Sequence, residues 1–214
     1  MNYVSGTEAS RNRGLFVSLE GIEGSGKTTQ HEMLLSALLQ RGLDVIGTCE
    51  PGGTALGREI RSILLNPGFK DMEGLTEALL YAADRCQHVQ QVILPALRRG
   101  QTVVCDRYID SSLAYQGTAR QVGLEGVKNL NEWATNDLYP DVTFLLDMPA
   151  NLALGRLTAT PDRIESEPAA FHEKVRDAFL TLSKVYPGRF VILDGTKDKE
   201  EIHREIIGRL AKMI

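Results

Sequence analysis

Five short runs of β-branched and aliphatic residues recur along the chain, with longer segments of helical spacing between them. The runs are LFVSLE (15–20), DVIGTC (44–49), TVVCD (102–106), VTFLLD (142–147) and FVILD (190–194). Most of them are almost continuously apolar, which is typical of strands buried on both faces of a parallel sheet. Strand alternating with helix therefore predicts a doubly wound α/β fold with right-handed crossovers.

The segments between the runs have the periodicity of amphipathic helices. The predicted helices span 28–42, 75–100, 127–138, 169–186 and 199–214. The apolar stripe of the first helix carries Met33, Leu34, Ala37 and Leu38. The second helix is expected to be interrupted near Pro95, because proline cannot donate a helical hydrogen bond. Ligands of such sheets bind beyond the carboxyl ends of the strands. Polar residues at those ends are Glu20, Glu50, Asp106, Arg107 and Asp147.

Composition and charge exclude several other classes of protein. The 214 residues fit one domain, and a formal net charge of −4 gives no indication of nucleic-acid binding. Three widely separated cysteines match neither a metal motif nor a disulfide framework, which favours the reducing cytoplasm. No apolar run approaches the length of a membrane span. Residues 1–13 are polar and are predicted to form a disordered tail before a single domain at 14–214.

A phosphate-binding loop follows the first apolar run. The residues from Gly21 to Thr28, GIEGSGKT, match G-x-x-x-x-G-K-[ST] at every fixed position and precede an amphipathic helix. Glycines let successive backbone N–H groups turn toward phosphate oxygens, and the helix N-terminus adds its positive dipole end. Lys27 suits the β and γ phosphates, and the Thr28 hydroxyl suits a Mg²⁺ shell. The residues predicted to bind ATP are Gly21, Glu23, Gly24, Ser25, Gly26, Lys27, Thr28 and Thr29.

The loop alone does not identify the reaction, because GTPases, ATPases and small-molecule kinases share it. Three further segments, EPGGT (50–54), YAADR (81–85) and DRYIDSSLAYQG (106–117), have the composition of a second binding site. Asp106 can hold Mg²⁺-bound water, and Arg107 can grip an anion with two hydrogen bonds. Tyr81 and Arg85 lie one helical turn apart and would suit a flat base with carbonyl acceptors.

Each of these residues also has an ordinary structural interpretation. Tyr81 could belong to the core, Arg85 and Arg107 could form structural ion pairs, and Ser112 could cap a helix. The combination favours a binding site. The predicted substrate-binding residues are Glu23, Glu50, Pro51, Tyr81, Arg85, Arg107, Ser112, Tyr115 and Gln116.

These segments together carry a resemblance to a known family. With EGIEGSGKTT, EPGGT, YAADR, DRYIDSSLAYQG and DRIE, the chain resembles the bacterial thymidylate kinases from Leu15 to its C-terminus. The resemblance implies a nucleoside monophosphate kinase fold with a five-stranded parallel sheet. It also implies Mg²⁺-dependent phosphoryl transfer from ATP to dTMP, and a homodimer.

The resemblance further implies a role for each matching residue. Tyr81 would stack on thymine, Arg85 would reach a base carbonyl, and Ser112 and Gln116 would read the base edge. Tyr115 would crowd the sugar and disfavour a ribose 2′-hydroxyl. Arg107 would hold the acceptor phosphate, and Glu23 would accept from the 3′-hydroxyl.

A segment rich in small residues and charges, LALGRLTATPDRIESEP, follows the fourth run and predicts a mobile lid at about 150–168. The acceptor is already anionic, so catalysis needs alignment and cations rather than a general base. In one branch of the family that the chain resembles, an arginine inside the phosphate loop supplies such a cation. This loop has no arginine, so the resemblance to the other branch implies that the lid supplies it. Candidates are Arg156 and Arg163, with Lys27 and Arg107 as fixed clamps. Glu165 of the DRIE motif is a candidate metal ligand.

Two departures from the family pattern leave the identity of the phosphoryl acceptor undecided. Cys49 stands where arginine is usual, and Thr158 stands where the lid often carries another arginine. A small thiol could leave room for a bulkier base or sugar, or for water. The alternatives are a kinase for another nucleoside monophosphate or a deoxynucleoside, and a non-catalytic nucleotide-binding switch. No guanine-reading N-K-x-D-like segment supports the switch.

Overall fold

A five-stranded parallel sheet forms the centre of the molecule. The computed structural model describes residues 13–213, so the predicted tail lies outside the described residues except for Arg13. The strands are β1 (Phe16–Glu20), β2 (Val45–Cys49), β3 (Thr102–Asp106), β4 (Val142–Asp147) and β5 (Phe190–Asp194). Their order in the sheet is β2-β3-β1-β4-β5, and every pair is parallel. The predicted fold class is confirmed, with each strand within one residue of its predicted run.

Helices cover both faces of the sheet. They are α1 (Lys27–Gln40), α2 (Ala55–Leu64), α3 (Gly74–His88), α4 (Leu94–Arg98), α5 (Ile109–Ser112), α6 (Leu124–Thr135), α7 (Ala150–Leu154), α8 (Ala169–Val185) and α9 (Lys199–Leu210). Two π-helical segments, Val89–Ile93 and Leu113–Ala119, extend α3 and α5. A 3₁₀ turn spans Pro67–Phe69. On α1, Leu34 and Leu38 are buried, whereas Met33 and Ala37 of the predicted stripe are only half-buried.

The predicted helix at 75–100 consists of α3, a π-helical segment and α4. Its irregularity lies just before Pro95 rather than at it: the N–H of Leu94 bonds to the carbonyl of Val89, five residues back. The wider π turn gives the proline ring room in the helix, because proline has no N–H and its ring crowds the preceding turn.

The sheet register places the polar strand ends at one edge. Cys49 of β2 lies opposite Asp106 of β3, and Glu20 of β1 lies opposite Leu145 of β4. The turn after β1 leads into α1, and the turn after β3 leads into α5. Both loops therefore meet at the carboxyl edge, where an α/β sheet binds its ligands. None of the helices within residues 13–213 combines the length and the apolar character of a membrane span.

Candidate active site

A cavity of about 900 Å³ opens at the carboxyl edge of the sheet and contacts almost all of the predicted site residues. On one side lie residues 23–29 of the phosphate loop, and on the other lie Glu50, Pro51, Tyr81, Arg85, Arg107, Ser112, Tyr115 and Gln116. Asp106 lies between the two sides, and Arg156 and Glu165 approach from the lid segment. Two predicted residues, Gly21 and Arg163, do not line the cavity.

The phosphate loop has a backbone that only glycine adopts without strain. Gly24 has φ +74° and Gly26 has φ +98°, both in the left-handed region. A Cβ at Gly24 would also lie 2.0 Å from the carbonyl oxygen of Ala153. The loop is therefore packed closely against α7, at the start of the predicted lid.

Lys27 supplies a buried cation inside this loop. Its Nζ donates to the carbonyl oxygen of Ile22 at 2.7 Å, a neutral partner. Burial, together with the nearby Arg107, lowers the pKa of Lys27 from 10.5 to about 8, although Asp106 and Glu23 oppose the shift. An anion beside Lys27 would stabilise its charged form. The site therefore fits a phosphate chain.

Thr28 and Asp106 form a pair of oxygen ligands at the mouth of the loop. The Thr28 hydroxyl donates to Asp106 Oδ2 at 2.8 Å. Hydroxyl and carboxylate oxygens are what Mg²⁺ prefers, with water and phosphate completing its shell. These two residues therefore fit a Mg²⁺ ion. Glu165, the third predicted ligand, lines the same cavity, but its Oε2 accepts from the backbone N–H of Asp162 at 3.0 Å. Within residues 13–213, no three His, Cys, Asp or Glu side chains form a metal cluster.

Glu23 joins the phosphate loop to the second side of the cavity. Its carboxylate accepts from Arg107 Nη2 at 2.8 Å, from the Tyr115 hydroxyl at 2.7 Å and from His172 Nδ1 at 3.1 Å. Burial alone would raise the pKa of Glu23, but Arg107, His172, Lys27 and Tyr115 together hold it below its ordinary value of 4.5. Glu23 is therefore an anion that accepts hydrogen bonds at the centre of the cavity.

Arg107 is held in place by hydrogen bonds to the phosphate loop and to Ser111 of α5. Its Nη1 donates to the Gly21 carbonyl at 2.9 Å and to the Ser111 hydroxyl at 3.1 Å. The residue has φ +69°, an uncommon conformation outside glycine. Buried Glu20 stabilises this turn, because it accepts from the backbone N–H of Tyr108 at 2.8 Å and from the Ser111 hydroxyl at 2.6 Å. Burial and neighbouring Asp110 raise the pKa of Glu20 to about 8.

Arg85 is more deeply embedded than the sequence suggests. Its guanidinium donates to Glu50 at 2.6 Å, to the Ser112 hydroxyl at 2.8 Å, to the Tyr108 carbonyl at 3.0 Å and to Asn131. Four of its five N–H groups are thus engaged, and one is left for a ligand. The structural ion pair considered from the sequence is present, and Arg85 also lines the cavity.

Glu50 lies beside Arg85 in the wall of the cavity. Besides the Arg85 contact, its second oxygen accepts from His88 Nδ1 at 2.8 Å, and the residue is buried. Both carboxylate oxygens are therefore engaged by protein groups. In this structure Glu50 holds the Arg85 guanidinium in place, and a direct contact of Glu50 with the substrate stays a prediction.

Arg163 does not face the phosphate loop. Its backbone N–H and its Nε donate to the carbonyls of Leu65 and Leu64, and its Nη1 pairs with buried Glu77 at 2.7 Å. The catalytic cation predicted at this position therefore does not line the cavity in this structure, because the Glu77 carboxylate holds the guanidinium away from it. Of the two candidate lid arginines, Arg156 lines the cavity, with its Nη1 at 3.4 Å from the Gly195 carbonyl.

Comparison with known proteins agrees with this geometry. A family model described as thymidylate kinase matches residues 19–206. The chain belongs to the thymidylate kinase family. Among its relatives, a thymidylate kinase of Exiguobacterium sp. (strain AT1b) is 48% identical over 91% of this chain and 92% of its own length. A thymidylate kinase of Halothermothrix orenii is 50% identical over 91% of this chain and 95% of its own length. The crystal structure of the Ehrlichia chaffeensis thymidylate kinase superposes with a TM-score of 0.76 at 32% identity, over 92% of this chain and 99% of that one.

This member of the thymidylate kinase family has further site residues that sequence reasoning missed. Arg61 of α2 lines the cavity near Cys49 and donates to the Pro51 carbonyl at 2.8 Å, so a third arginine, besides Arg85 and Arg107, approaches the acceptor side. Buried His172 of α8 bonds to Glu23, and Glu77 of α3 accepts from Gln116 at 2.7 Å. None of them belongs to a local motif. Only the i, i+4 and i+8 spacing of Glu77, Tyr81 and Arg85 on α3 signals a shared face.

Proposed function

We propose that this protein transfers the γ-phosphoryl group of ATP to dTMP, giving ADP and dTDP. The observation that carries the proposal is the position of Arg107 between a complete phosphate loop and a second polar pocket. The guanidinium bonds to the loop carbonyl of Gly21 at 2.9 Å and to Glu23 at 2.8 Å. A cation that touches the donor loop from the acceptor side suits an acceptor that itself carries a phosphate.

Lys27, Arg107 and Arg156 would neutralise charge on the transferring group. The acceptor oxygen is anionic, so none of these residues acts as a general base. Backbone N–H groups of the loop orient the donor, and Arg107 orients the acceptor phosphate for in-line attack. A Mg²⁺ ion held near Thr28 and Asp106 would add charge neutralisation at the donor phosphates. Residues 150–168 would form the lid, bringing Arg156 to the cavity and excluding water.

The acceptor nucleoside fits the pocket between α3 and the segment 109–119. Tyr81 offers its ring to the base, and the single remaining N–H of Arg85 can donate to a base carbonyl. The Tyr115 hydroxyl and the Glu23 carboxylate, 2.7 Å apart, would meet the deoxyribose. Glu23 is an acceptor for the 3′-hydroxyl, and the Tyr115 ring limits space for a 2′-hydroxyl.

An ADP-release assay with dTMP, dUMP, dGMP, UMP and thymidine as acceptors tests the proposal. We expect dTMP to give the highest kcat/KM, with thymidine inactive because it offers nothing to Arg107. Turnover with thymidine alone would indicate a nucleoside kinase, and ADP release with no dependence on acceptor would indicate a nucleotide-hydrolysing switch.

We also propose that the protein is a homodimer in the cytoplasm. Helix α2 packs against α3, and together they expose Leu56, Ile63, Leu75 and Leu79, at 53%, 42%, 57% and 50%. An apolar stripe across two adjacent helices suits burial against a second copy. All three cysteines are free thiols, as in proteins of a reducing compartment. Sedimentation velocity tests the dimer: the wild type should sediment as a dimer and Leu79→Glu as a monomer.

A further inference from the structure

Two buried charged residues of α3 hold the two polar residues that face the acceptor base. Arg85 donates to the Ser112 hydroxyl at 2.8 Å, and Glu77 accepts from Gln116 Nε2 at 2.7 Å. Residues 77 and 85 lie two turns apart on α3, and residues 112 and 116 lie four apart on the facing segment. Both Ser112 and Gln116 line the cavity. Contacts from α3 therefore determine which hydrogen-bond donors and acceptors Ser112 and Gln116 present to a ligand.

The Gln116 contact fixes the orientation of its amide. A carboxamide can present either its NH₂ or its carbonyl oxygen, and a neighbouring group decides which. Glu77 takes the NH₂ group, and within residues 13–213 no hydrogen bond engages the side-chain carbonyl oxygen, Oε1, of Gln116. The carbonyl oxygen is thus left to accept from a ligand.

Glu77 can only accept, because guanidinium groups surround its other oxygen. Arg163 Nη1 lies 2.7 Å and Arg120 Nη2 lies 3.3 Å from Glu77 Oε2, and the Glu77 side chain is fully buried. A carboxylate paired with two guanidinium groups serves as a hydrogen-bond acceptor. The Gln116 amide therefore has one stable orientation.

We propose that Glu77 is a positioning residue that makes the acceptor pocket select bases with a uracil-type edge over a cytosine-type edge. The inference rests on the proposed function and extends it. A uracil-type edge, present in thymine and uracil, has an N–H at N3 beside a carbonyl at C4. A cytosine-type edge has an unprotonated N3 beside an amino group.

The two edges meet opposite polarity in this pocket. The Gln116 carbonyl oxygen accepts from a uracil-type N3–H, and the remaining Arg85 N–H or the Ser112 hydroxyl donates to the C4 carbonyl. A cytosine-type edge places an acceptor against the Gln116 oxygen and donors against the Arg85 guanidinium. Leaving buried polar groups without a matching partner costs binding free energy, so the pocket rejects a base with a cytosine-type edge.

The Glu77→Gln variant should reverse this preference. Arg163 and Arg120 only donate, so the new side chain turns its carbonyl oxygen toward them and its NH₂ toward Gln116. Gln116 then flips and offers its own NH₂ to the base. We expect the ratio of kcat/KM for dTMP to kcat/KM for dCMP to fall at least about tenfold. The ratio for dTMP to dUMP should stay constant, because these bases share the edge and differ only in a methyl group.

A matched control is Lys128→Gln, which removes an exposed ion pair with Glu132 on α6 and should leave both ratios unchanged. A uniform loss of activity in folded Glu77→Gln, with both ratios kept, would overturn the inference and leave Glu77 a structural residue. If this variant does not fold, Gln116→Leu decides: an unchanged dTMP to dCMP ratio there would equally overturn the inference. Failure of the wild type to phosphorylate dTMP in the same assay would instead reject the proposed function.

Discussion

Binding of a triphosphate should be coupled to proton uptake by Lys27. In the protein without nucleotide, burial and Arg107 lower the pKa of Lys27 from 10.5 to about 8. Phosphate oxygens beside Nζ favour the ammonium form and raise this pKa again. Because the nucleotide complex then holds more protons than the free protein above pH 7, affinity must fall as pH rises through 8.

The size of the effect follows from the fraction of neutral lysine. With a pKa of about 8, binding takes up about 0.1 proton per site at pH 7, about 0.5 at pH 8 and about 0.9 at pH 9. Well above pH 8 the dissociation constant should rise by up to about tenfold per pH unit. At pH 8 and 9 the terminal phosphate of the nucleotide is almost fully ionised, so the proton taken up there binds to the protein.

Isothermal titration calorimetry with a non-hydrolysable ATP analogue measures this uptake directly. The titration is run at each pH in two buffers that differ in ionisation enthalpy, and the difference in binding enthalpy gives the number of protons. Lys27→Met is the control and should bind weakly without uptake. A wild type that takes up no proton at pH 8 and 9, or a Lys27→Met that takes up as many, would refute the reasoning.

Three substitutions test other parts of the site. Glu23→Gln should lower kcat/KM for dTMP about 10- to 100-fold, because it removes a charged acceptor; steady-state assays should show a smaller loss for 3′-deoxy-dTMP, and an equal loss would contradict a contact to the 3′-hydroxyl. Arg156→Ala should lower kcat by about 10² to 10³ at saturating substrates, because a cation over the transferring group is lost; single-turnover rates equal to the wild type would place that cation elsewhere. Arg163→Ala should destabilise the fold by about 3 kcal/mol, since buried Glu77 loses its closest guanidinium; urea unfolding measures this, and a loss below about 1 kcal/mol would contradict the buried pair.

Much of the fold follows from local patterns in the sequence. Strands buried on both faces have no polar face, so runs such as VTFLLD are recognisable without knowledge of their neighbours. The sequence patterns do not predict helix α2, although Thr54 is a residue type that favours helix N-caps. In the structure the Thr54 hydroxyl accepts from the Gly57 N–H at 2.9 Å. The π-helical segment 113–119 could not be predicted, because no residue type in it demands the wider turn.

The candidate site likewise has one part that local sequence predicts and another part that depends on tertiary packing. The phosphate loop is local, since its glycines, Lys27 and Thr28 are adjacent in the chain, and the sequence predicts the whole constellation. The orientation of Arg163 is not local. It depends on Glu77, 86 residues earlier, which is buried only after α3 has packed. Likewise, the two oxygens of Glu50 are engaged by Arg85 and His88, which lie 35 and 38 residues further along the chain, so the EPGGT motif alone does not indicate these contacts. A motif predicts where in the fold a residue lies, but the direction in which its side chain points depends on tertiary packing.

Transfer of label from ATP to the acceptor tests the central claim most directly. The protein is incubated with γ-³²P-labelled ATP, Mg²⁺ and dTMP, and the nucleotides are separated by thin-layer chromatography. If the proposed transfer is right, the label moves from ATP into dTDP with release of unlabelled ADP, and Arg107→Ala abolishes most of this transfer at equal protein concentration. Label recovered only as inorganic phosphate, or in dTDP at the same rate with Arg107→Ala, would contradict it.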